Sequence, residues 1–395
     1  MTVLVLNSGS SSIKYQLLDP RTGEVAAYGL AERIGEQEST LTHHGPGEPY
    51  VRHEPYSDHE AGLTAVLAAF DAVGPSLAKA GLTAVGHRVV HGGDRYSAPV
   101  LVDDAVEKAI EALEPLAPLH NPANLEGIRV ARRVFPDLAH VAVFDTAFHQ
   151  TLPPSAYTYA VPREWTAVRR YGFHGTSHAY VSRQAAQLLG RPYDRTSTIV
   201  LHLGNGASAT AVAGGRSVDT SMGLTPLEGL VMGTRSGDVD PALPAFLART
   251  RGIAVEEIDR ELNTRSGLLG LAGANDLREV WRRADAGDEA AALAMDVYCH
   301  RLRKYIGAYY AVLLAETGRV DAVVFTAGVG EHDPRTRAKA LSGLDRLGIV
   351  VDPERNQAGS GGPRFISPDG AETAVLVVPT NEELEIALQT AALTG

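Results

Sequence analysis

Two stretches of the sequence repeat one pattern: Val3-Leu4-Val5-Leu6-Asn7-Ser8-Gly9-Ser10-Ser11-Ser12 and Ile199-Val200-Leu201-His202-Leu203-Gly204-Asn205-Gly206-Ala207-Ser208. In each, an apolar run breaks into a turn of Gly, Ser and Asn and continues into a second strand, which is typical of a β-hairpin. Either hairpin alone would be ordinary, because Gly and Asn are common in tight turns. Aligning Leu6 with Leu203 places Gly9 on Gly206, about half the chain apart. The sequence therefore predicts two copies of one domain.

The two hairpin turns also indicate a kind of ligand. Backbone N–H groups and hydroxyls in such a turn can bind an anion. Two of these turns, facing each other across a cleft, would hold both ends of a polyphosphate. The repeat therefore predicts an interdomain nucleotide cleft.

Length and composition agree with two domains of a cytoplasmic protein. The chain has 395 residues, of which 44% are hydrophobic, and this is enough to fill two cores. The net charge of −11 argues against nucleic acid or an anionic membrane as the main partner, although a local group of arginines could still bind a small anion. A single cysteine, Cys299, excludes an intramolecular disulfide and fits a reducing compartment. No apolar run is long enough to span a bilayer.

The predicted elements follow a similar order in the two halves. Strands are predicted over residues 3–30, 84–90, 140–144, 197–220, 322–325 and 374–379. Helices are predicted over 60–72, 103–114, 288–317 and 382–393. The stretch 35–59, rich in Gly, Pro, His and Glu, is expected to be irregular, and strand 322–325 is matched with strand 141–144. The predicted fold class is α/β, with one domain formed by 1–149 plus 384–395 and the other by 150–383.

Five short segments concentrate Arg, His, Asp and Gly beyond what folding needs: residues 87–93, 144–149, 171–178, 232–238 and 379–383. They resemble the motifs of the acetate kinase family, in the family's order and over the whole chain. The stretch Gly172-Phe173-His174-Gly175-Thr176-Ser177-His178 is the most specific of them. The resemblance implies two duplicated ribonuclease H-like α/β domains, a fold shared with sugar kinases, actin and heat-shock ATPases. This implication agrees with the repeat.

Four residues carry the chemistry that this resemblance implies. Arg88 would contact the substrate and Arg235 would stabilise the transition state, since a planar guanidinium suits carboxylate and phosphoryl oxygens. His174 would donate a hydrogen bond to a phosphoryl oxygen, although a structural histidine remains an alternative. The resemblance gives Asp145 an acid–base role. Because acetate is already ionised at neutral pH, we expect Asp145 instead to position the metal or an arginine.

The resemblance also implies a metal and a nucleotide. Asn7 and Glu382 would lie near Mg²⁺ (or Mn²⁺), with Glu383 as the neighbour most easily confused with Glu382. ATP or ADP would be the co-substrate, bound by Lys14, His202, Leu203, Gly204, Asn205, Gly206, Asp276, Leu277, Arg278, Gly328, Val329, Gly330, Glu331 and His332. The chain departs from the commonest pattern at Ala327, a frequent glycine, and at His332, a frequent asparagine. These departures concern nucleotide preference and not reaction type.

By the same resemblance, the methyl group of acetate would lie among Val90, Leu119, Phe173 and Pro226, although these side chains could equally be ordinary core. The predicted reaction is reversible phosphoryl transfer from ATP to acetate, giving acetyl phosphate and ADP, in a homodimeric enzyme with no nucleic acid or membrane partner. A kinase for propionate or another short acid is a near alternative. An actin-like or chaperone-like ATPase is an alternative of another class, but such a switch needs no second anion site.

Overall fold

The structure is a computed structural model, and it describes residues 1–77, 79–118, 120–359 and 361–395. The chain divides into two compact units, unit 1 (Met1–Gln150 and Asn381–Gly395) and unit 2 (Thr151–Thr380). The predicted second domain, 150–383, includes Gln150 and residues 381–383, which belong to unit 1 in the structure. The Asn381 side chain accepts a hydrogen bond from the Leu384 N–H at 3.0 Å and so begins the last helix of unit 1.

The elements follow one another along the chain in a regular α/β order. The first part of unit 1 contains β1 (Thr2–Gly9), β2 (Ser12–Leu18), β3 (Val25–Glu32), β4 (Ser39–His44), β5 (Tyr50–Glu54), α1 (His59–Val73), β6 (Leu82–Val89), β7 (Val100–Leu101), α2 (Asp104–Ala112), α3 (Asn121–Val134) and β8 (Ala139–Phe144). Unit 2 contains α4 (Pro154–Tyr157), α5 (Gly175–Leu188), β9 (Ser197–Leu203), β10 (Ala207–Ala213), β11 (Arg216–Thr220), α6 (Leu243–Arg251), α7 (Val255–Thr264), α8 (Gly267–Ala272), α9 (Leu277–Asp285), α10 (Glu289–Thr317), β12 (Ala322–Thr326), α11 (Ala327–His332), α12 (Pro334–Leu341), α13 (Pro353–Gln357), β13 (Arg364–Phe365) and β14 (Ala374–Val377). The chain ends in unit 1 with α14 (Glu382–Thr394).

The two sheets share one topology. Their strand orders are β5-β4-β3-β2-β1-β6-β8-β7 in unit 1 and β11-β10-β9-β12-β14-β13 in unit 2. In each unit, three antiparallel strands (β3-β2-β1 or β11-β10-β9) are followed by two parallel strands (β6-β8 or β12-β14) and by an antiparallel edge strand. This correspondence confirms the predicted α/β class with two related domains.

The topology also corrects two of our predictions. The strand at 322–325 had been matched with the strand at 141–144, but β12 pairs with β9 as β6 pairs with β1, so its counterpart is β6. The stretch 35–59, expected to be irregular, contains β4 and β5. The residues of β4 alternate between buried and partly buried positions, which is the pattern of a strand with one covered face.

Close packing positions the first hairpin and its neighbours. Helix α3 lies against β1 and β6 in the same sheet. A Cβ atom at Gly127 of this helix would overlap the Ser8 side chain, so only glycine allows α3 to approach the end of β1 so closely. Helix α14 packs on β1, β6 and β8 through Ile386 and Ala387. Among the described residues, no helix is long and apolar enough to cross a membrane.

Candidate active site

A buried ion pair joins the ends of two parallel strands in unit 1. Arg88 lies in β6, and Asp145 follows β8 directly. The Arg88 Nη2 atom is 2.6 Å from Asp145 Oδ2, and Arg88 Nε is 3.1 Å and 3.2 Å from Oδ1 and Oδ2. The side chain of Asp145 is 2% exposed and that of Arg88 is 20% exposed. Asp145 therefore holds one edge of the guanidinium, and the partial exposure of Arg88 leaves part of it open to solvent.

The start of α14 adds two more carboxylates to this cluster. Burial acts to lower the pKa of Arg88, but the carboxylates of Asp145 and Glu382 outweigh it, so the Arg88 pKa is raised. The Glu383 carboxylate forms an ion pair with Lys14 of β2. Arg88 therefore stays charged in a pocket whose acids outnumber its bases.

This charge balance fits a divalent cation. Burial raises the pKa of Glu382, and the nearby Asp145 and Glu383 carboxylates raise it further, while Arg88 and Lys14 lower it. A bound cation would relieve that repulsion. Among the described residues, no group of three or more His, Cys, Asp or Glu residues is arranged to hold a metal ion. The Glu382 carboxylate and the Asn7 amide are oxygen donors of the kind that Mg²⁺ accepts, since Mg²⁺ takes few protein ligands and completes its shell with water and phosphate oxygens.

The metal and nucleotide residues predicted for the first hairpin lie opposite one another. Asn7 of β1 is the cross-strand partner of Lys14 of β2. Cross-strand partners project to the same face of a sheet. The Lys14–Glu383 ion pair then ties this face of the hairpin to the start of α14, so Asn7, Lys14 and the glutamates belong to one cluster.

Two asparagines that our sequence analysis missed hold the backbone after β6. The Asn124 Oδ1 atom accepts a hydrogen bond from the Val90 N–H at 3.0 Å, and its Nδ2 group donates to the Ser8 carbonyl at 2.6 Å. The Asn121 amide exchanges hydrogen bonds of 3.1 Å and 3.0 Å with the His91 N–H and carbonyl. These bonds join the segment that follows Arg88 to α3 and, through Asn124, to the end of β1. No short motif marks them, because the partners are distant in sequence.

In unit 2, His174 lies at a strained position with a defined hydrogen bond. It precedes α5 with a φ of 56°, in the left-handed region that few residues other than glycine adopt. Its Nδ1 atom is 2.9 Å from the Ser208 hydroxyl of β10. Its ring stacks on His202 of β9, with 4.2 Å between ring centroids and 24° between planes. The imidazole is thus held on one face and at one nitrogen, an arrangement typical of a functional residue.

His174 and Arg235 converge on the turn between β9 and β10. A Cβ atom built on Gly206 would lie 3.6 Å from His174 Nε2 and 3.4 Å from Arg235 Nη1. Burial lowers the pKa of Arg235, and within the described part of the chain no carboxylate forms an ion pair with it. Among the described residues, it donates to the Pro226 carbonyl at 3.4 Å and to the Met232 sulfur at 3.8 Å. A partly buried guanidinium with such weak acceptors is suited to binding an anion.

The same turn borders a cavity of about 670 Å³. Eight of the residues predicted to bind nucleotide line it: Gly204, Asn205, Asp276, Leu277, Arg278, Gly328, Val329 and His332. Five lining residues were missed: Gly233, Leu268, Asn275, Tyr298 and Asp333. The lining combines three aliphatic side chains and a tyrosine with six polar or charged side chains, a mixture that suits the base and sugar of a nucleoside.

The remaining nucleotide-binding predictions fall outside the cavity lining. Leu203 is fully buried in β9. The carbonyl oxygens of Gly330 and Glu331 accept hydrogen bonds from Arg337 at 2.9 Å and 3.0 Å, which fixes the end of α11. His202 stacks on His174 and is bonded to the Ser177 hydroxyl. Gly206 faces His174 and Arg235. Lys14 lies in unit 1.

The residues predicted for the methyl pocket are divided between the units. Val90 lies in unit 1 and is 7% exposed. Phe173 and Pro226 lie in unit 2. Phe173 is buried and directly precedes His174, and the Pro226 carbonyl accepts a hydrogen bond from Arg235. Leu119 lies outside the described residues.

Known proteins resemble this chain over its full length. The model of the acetokinase family matches residues 2–388. An acetate kinase of Clavibacter sepedonicus is 58% identical over 396 residues, which cover 100% of this chain and 99% of the relative. The solved structure of Porphyromonas gingivalis acetate kinase has a TM-score of 0.93 at 43% identity, covering 100% of both chains. A propionate kinase from Francisella tularensis has a TM-score of 0.91 at 42% identity, covering 99% of both chains.

Proposed function

Because the chain belongs to the acetokinase family, we propose that it catalyses reversible transfer of the γ-phosphoryl group of ATP to acetate, giving acetyl phosphate and ADP. The observation that best supports this function is that the turn between β9 and β10 borders the cavity and also lies beside His174 and Arg235. Gly204 and Asn205 line the cavity, and His174 Nε2 and Arg235 Nη1 meet at Gly206. A nucleotide whose base and sugar lie in the cavity would therefore have its phosphates near the Arg235 guanidinium and the His174 imidazole.

The transfer needs positioning and charge stabilisation more than covalent chemistry. The acetate carboxylate, already ionised at neutral pH, attacks the γ-phosphorus in line with the leaving ADP oxygen. Negative charge is spread over the three equatorial oxygens during transfer. Arg235 and His174 donate hydrogen bonds to these oxygens from fixed positions, so the site needs little reorganisation during the reaction.

Residues of unit 1 serve the same reaction. Arg88 binds the acid or the transferred group with the part of its guanidinium that Asp145 leaves open. Asp145 positions Arg88 and transfers no proton. Glu382 and Asn7 would hold Mg²⁺ (or Mn²⁺), which neutralises phosphate charge when it is bound. Lys14 would contact the nucleotide once its ion pair with Glu383 opens.

Acetate is the proposed acid, and propionate is the second candidate because a propionate kinase resembles this chain about as closely as the P. gingivalis acetate kinase does. The proposed methyl pocket of Val90, Leu119, Phe173 and Pro226 is apolar, and one extra methylene in such a pocket changes binding by only about 1–3 kcal/mol. We therefore expect propionate to react at roughly a tenth to a hundredth of the efficiency of acetate.

We also propose a cytoplasmic homodimer whose subunits associate through unit 2. Helix α6, whose residues are all described, has no buried residue, and its Phe246 side chain is 52% exposed. Single exposed apolar side chains are common on protein surfaces, so the proposal of a homodimer rests on the family resemblance. Light scattering would test the assembly, and a stable active species of 41.9 kDa, the mass of one chain, would contradict it.

A panel of short carboxylic acids tests the reaction. The enzyme is incubated with ATP, Mg²⁺, hydroxylamine and formate, acetate, propionate or butyrate, and the acyl hydroxamate and ADP are measured. We expect equal amounts of hydroxamate and ADP, with acetate the best acid, and no product from Arg235→Ala. Release of ADP without hydroxamate would support an ATPase and contradict the proposal.

A further inference from the structure

One hydroxyl group links two imidazoles beside the proposed reaction centre. The Ser208 Oγ atom is 2.9 Å from His174 Nδ1 and 2.7 Å from His178 Nε2. Both Ser208 and His178 have an exposed fraction of 0%. The two histidines lie one turn apart at the start of α5, where the His178 N–H donates to the His174 carbonyl at 2.9 Å. Strand β10 supplies the serine between them.

The single hydrogen of the Ser208 hydroxyl limits which ring nitrogens of the two histidines can be without a hydrogen. A serine hydroxyl has one hydrogen, so it can donate to only one of its two ring partners. If Ser208 donates to His174 Nδ1, then His178 Nε2 must carry a hydrogen and donate to Ser208. If the bonds run the other way, His174 carries its hydrogen on Nδ1, and a neutral ring then has a lone pair on Nε2. At least one ring must therefore donate to Ser208, and when Ser208 donates to His174 Nδ1, His178 Nε2 carries a hydrogen and a neutral His174 carries its hydrogen on Nε2.

We propose that His178 and Ser208 are positioning residues that hold neutral His174 in the tautomer with its hydrogen on Nε2. The direction of the bonds rests on the proposed function, while the three-residue contact does not. His174 Nε2 faces the Gly206 turn, where we place the phosphoryl oxygens. A hydrogen there makes an attractive bond to such an oxygen, whereas a lone pair would repel it. The stack of His174 on His202 keeps the ring plane fixed.

This assignment explains how a histidine can act as a donor without being protonated on both nitrogens. A free imidazole is largely neutral near pH 7, and each neutral ring then has only one donor. A hydrogen-bond relay in which His178 donates to Ser208 and Ser208 donates to His174 Nδ1 leaves Nε2, which faces the turn, as the donor. In serine proteases, too, a third residue holds the catalytic imidazole in one tautomer.

The test reads the tautomer directly. Enzyme labelled with ¹⁵N-histidine is studied by long-range ¹H–¹⁵N NMR, alone and with ADP and Mg²⁺, and the His174 signals are assigned with a His174→Gln variant. We expect a neutral His174 ring with an N–H-type Nε2 and an acceptor-type Nδ1 when the nucleotide is bound. In Ser208→Ala, we expect His174 to show a mixture of tautomers. A doubly protonated ring, or a hydrogen fixed on Nδ1, would overturn the proposal.

Kinetics supply a second readout. Ser208→Ala should lower kcat by about ten- to a hundredfold while leaving the KM for ATP within about twofold. His178→Gln, whose amide can still donate to Ser208, should recover most of the activity that His178→Ala loses. The matched control is Ser182→Ala, since Ser182 is a buried serine in α5 whose hydroxyl is 2.8 Å from the Tyr193 hydroxyl. It should change neither the tautomer nor kcat.

The two readouts separate this proposal from the proposed function. If His174 has the expected tautomer but no acetyl hydroxamate forms, the relay stands and the function fails. If hydroxamate forms and Ser208→Ala keeps wild-type kcat and the wild-type tautomer, the relay is wrong. Equal activity losses in His178→Gln and His178→Ala, both folded, would also contradict it.

Discussion

Replacing Asp145 with asparagine tests whether this residue positions Arg88 or transfers a proton. Asparagine keeps the shape of the side chain but loses its charge. Its NH₂ group can only donate, so it cannot reproduce the three contacts of 2.6–3.2 Å that the carboxylate makes with Arg88. The guanidinium would then lie beside a neutral group in a buried pocket. We expect it to turn toward the remaining carboxylates.

The size of the effect follows from the burial of the pair. Removing one partner of a fully buried ion pair costs about 3–5 kcal/mol. Here Arg88 is 20% exposed and is also attracted by Glu382, so we expect Asp145→Asn to lower the free energy of unfolding by about 2–3 kcal/mol. Because a misplaced donor no longer meets the charge that develops on transfer, kcat should fall at least about a hundredfold.

The assay combines urea unfolding with the pH profile of kcat. The matched control is Asp321→Asn, because Asp321 is also buried, pairs with Arg191 at 3.0 Å and accepts from the Ser197 N–H at 2.8 Å, on a different strand end in unit 2. The control should lose similar stability and keep its kcat. If Asp145→Asn kept near-normal kcat, its role would be structural. If it removed one limb of the pH profile, proton transfer would be its role and our account would be wrong.

Three further changes have definite expected outcomes. Glu382→Ala should raise the Mg²⁺ concentration for half-maximal rate by at least about tenfold and change the KM for acetate less; the reverse pattern would place Glu382 at the acid. Ala327 has a φ of 63°, so Ala327→Gly should raise the free energy of unfolding by about 0.5–1 kcal/mol and with it the urea midpoint. An unchanged or lower midpoint would mean that this conformation is not strained. Burial lowers the pKa of His91 to about 4, so the stability that its neutral ring contributes is complete above pH 6.5 and is lost as the pH falls toward 4, by about 3 kcal/mol in all. His91→Asn, which keeps an acceptor for the Gly93 N–H, should unfold in urea with a shallower loss between pH 7 and 4.5, and an identical loss would exclude His91 as its cause.

Local sequence patterns predicted much of the fold and part of the site. The two hairpins and their shared topology could be predicted because apolar runs and Gly/Asn turns are local signals. Gly204 and Asn205, identified from the hairpin turn, and residues 276–278, identified from the family resemblance, line the cavity. Strand β4 was missed because the Gly- and Pro-rich residues between it and β5 concealed its alternation.

Contacts between distant residues could not be predicted in this way. Asn124 lies 34 residues from Val90, and no periodicity links the two. Ser208 was recognised as part of a turn, but its place between two histidines depends on how α5 packs beside β10. Leu268 and Tyr298 have the sequence character of core residues, and only the tertiary structure shows that they line a cavity.

In the proposed reaction the acid attacks the γ-phosphorus directly, with Arg88, Arg235 and His174 supplying charge stabilisation and no side chain becoming phosphorylated. The most direct test uses a nucleotide whose γ-phosphorus is made chiral with oxygen isotopes and sulfur, followed by analysis of the configuration of the acyl phosphate. A single in-line transfer predicts inversion at phosphorus. Retention would show two successive transfers through a phosphorylated side chain and would contradict the account.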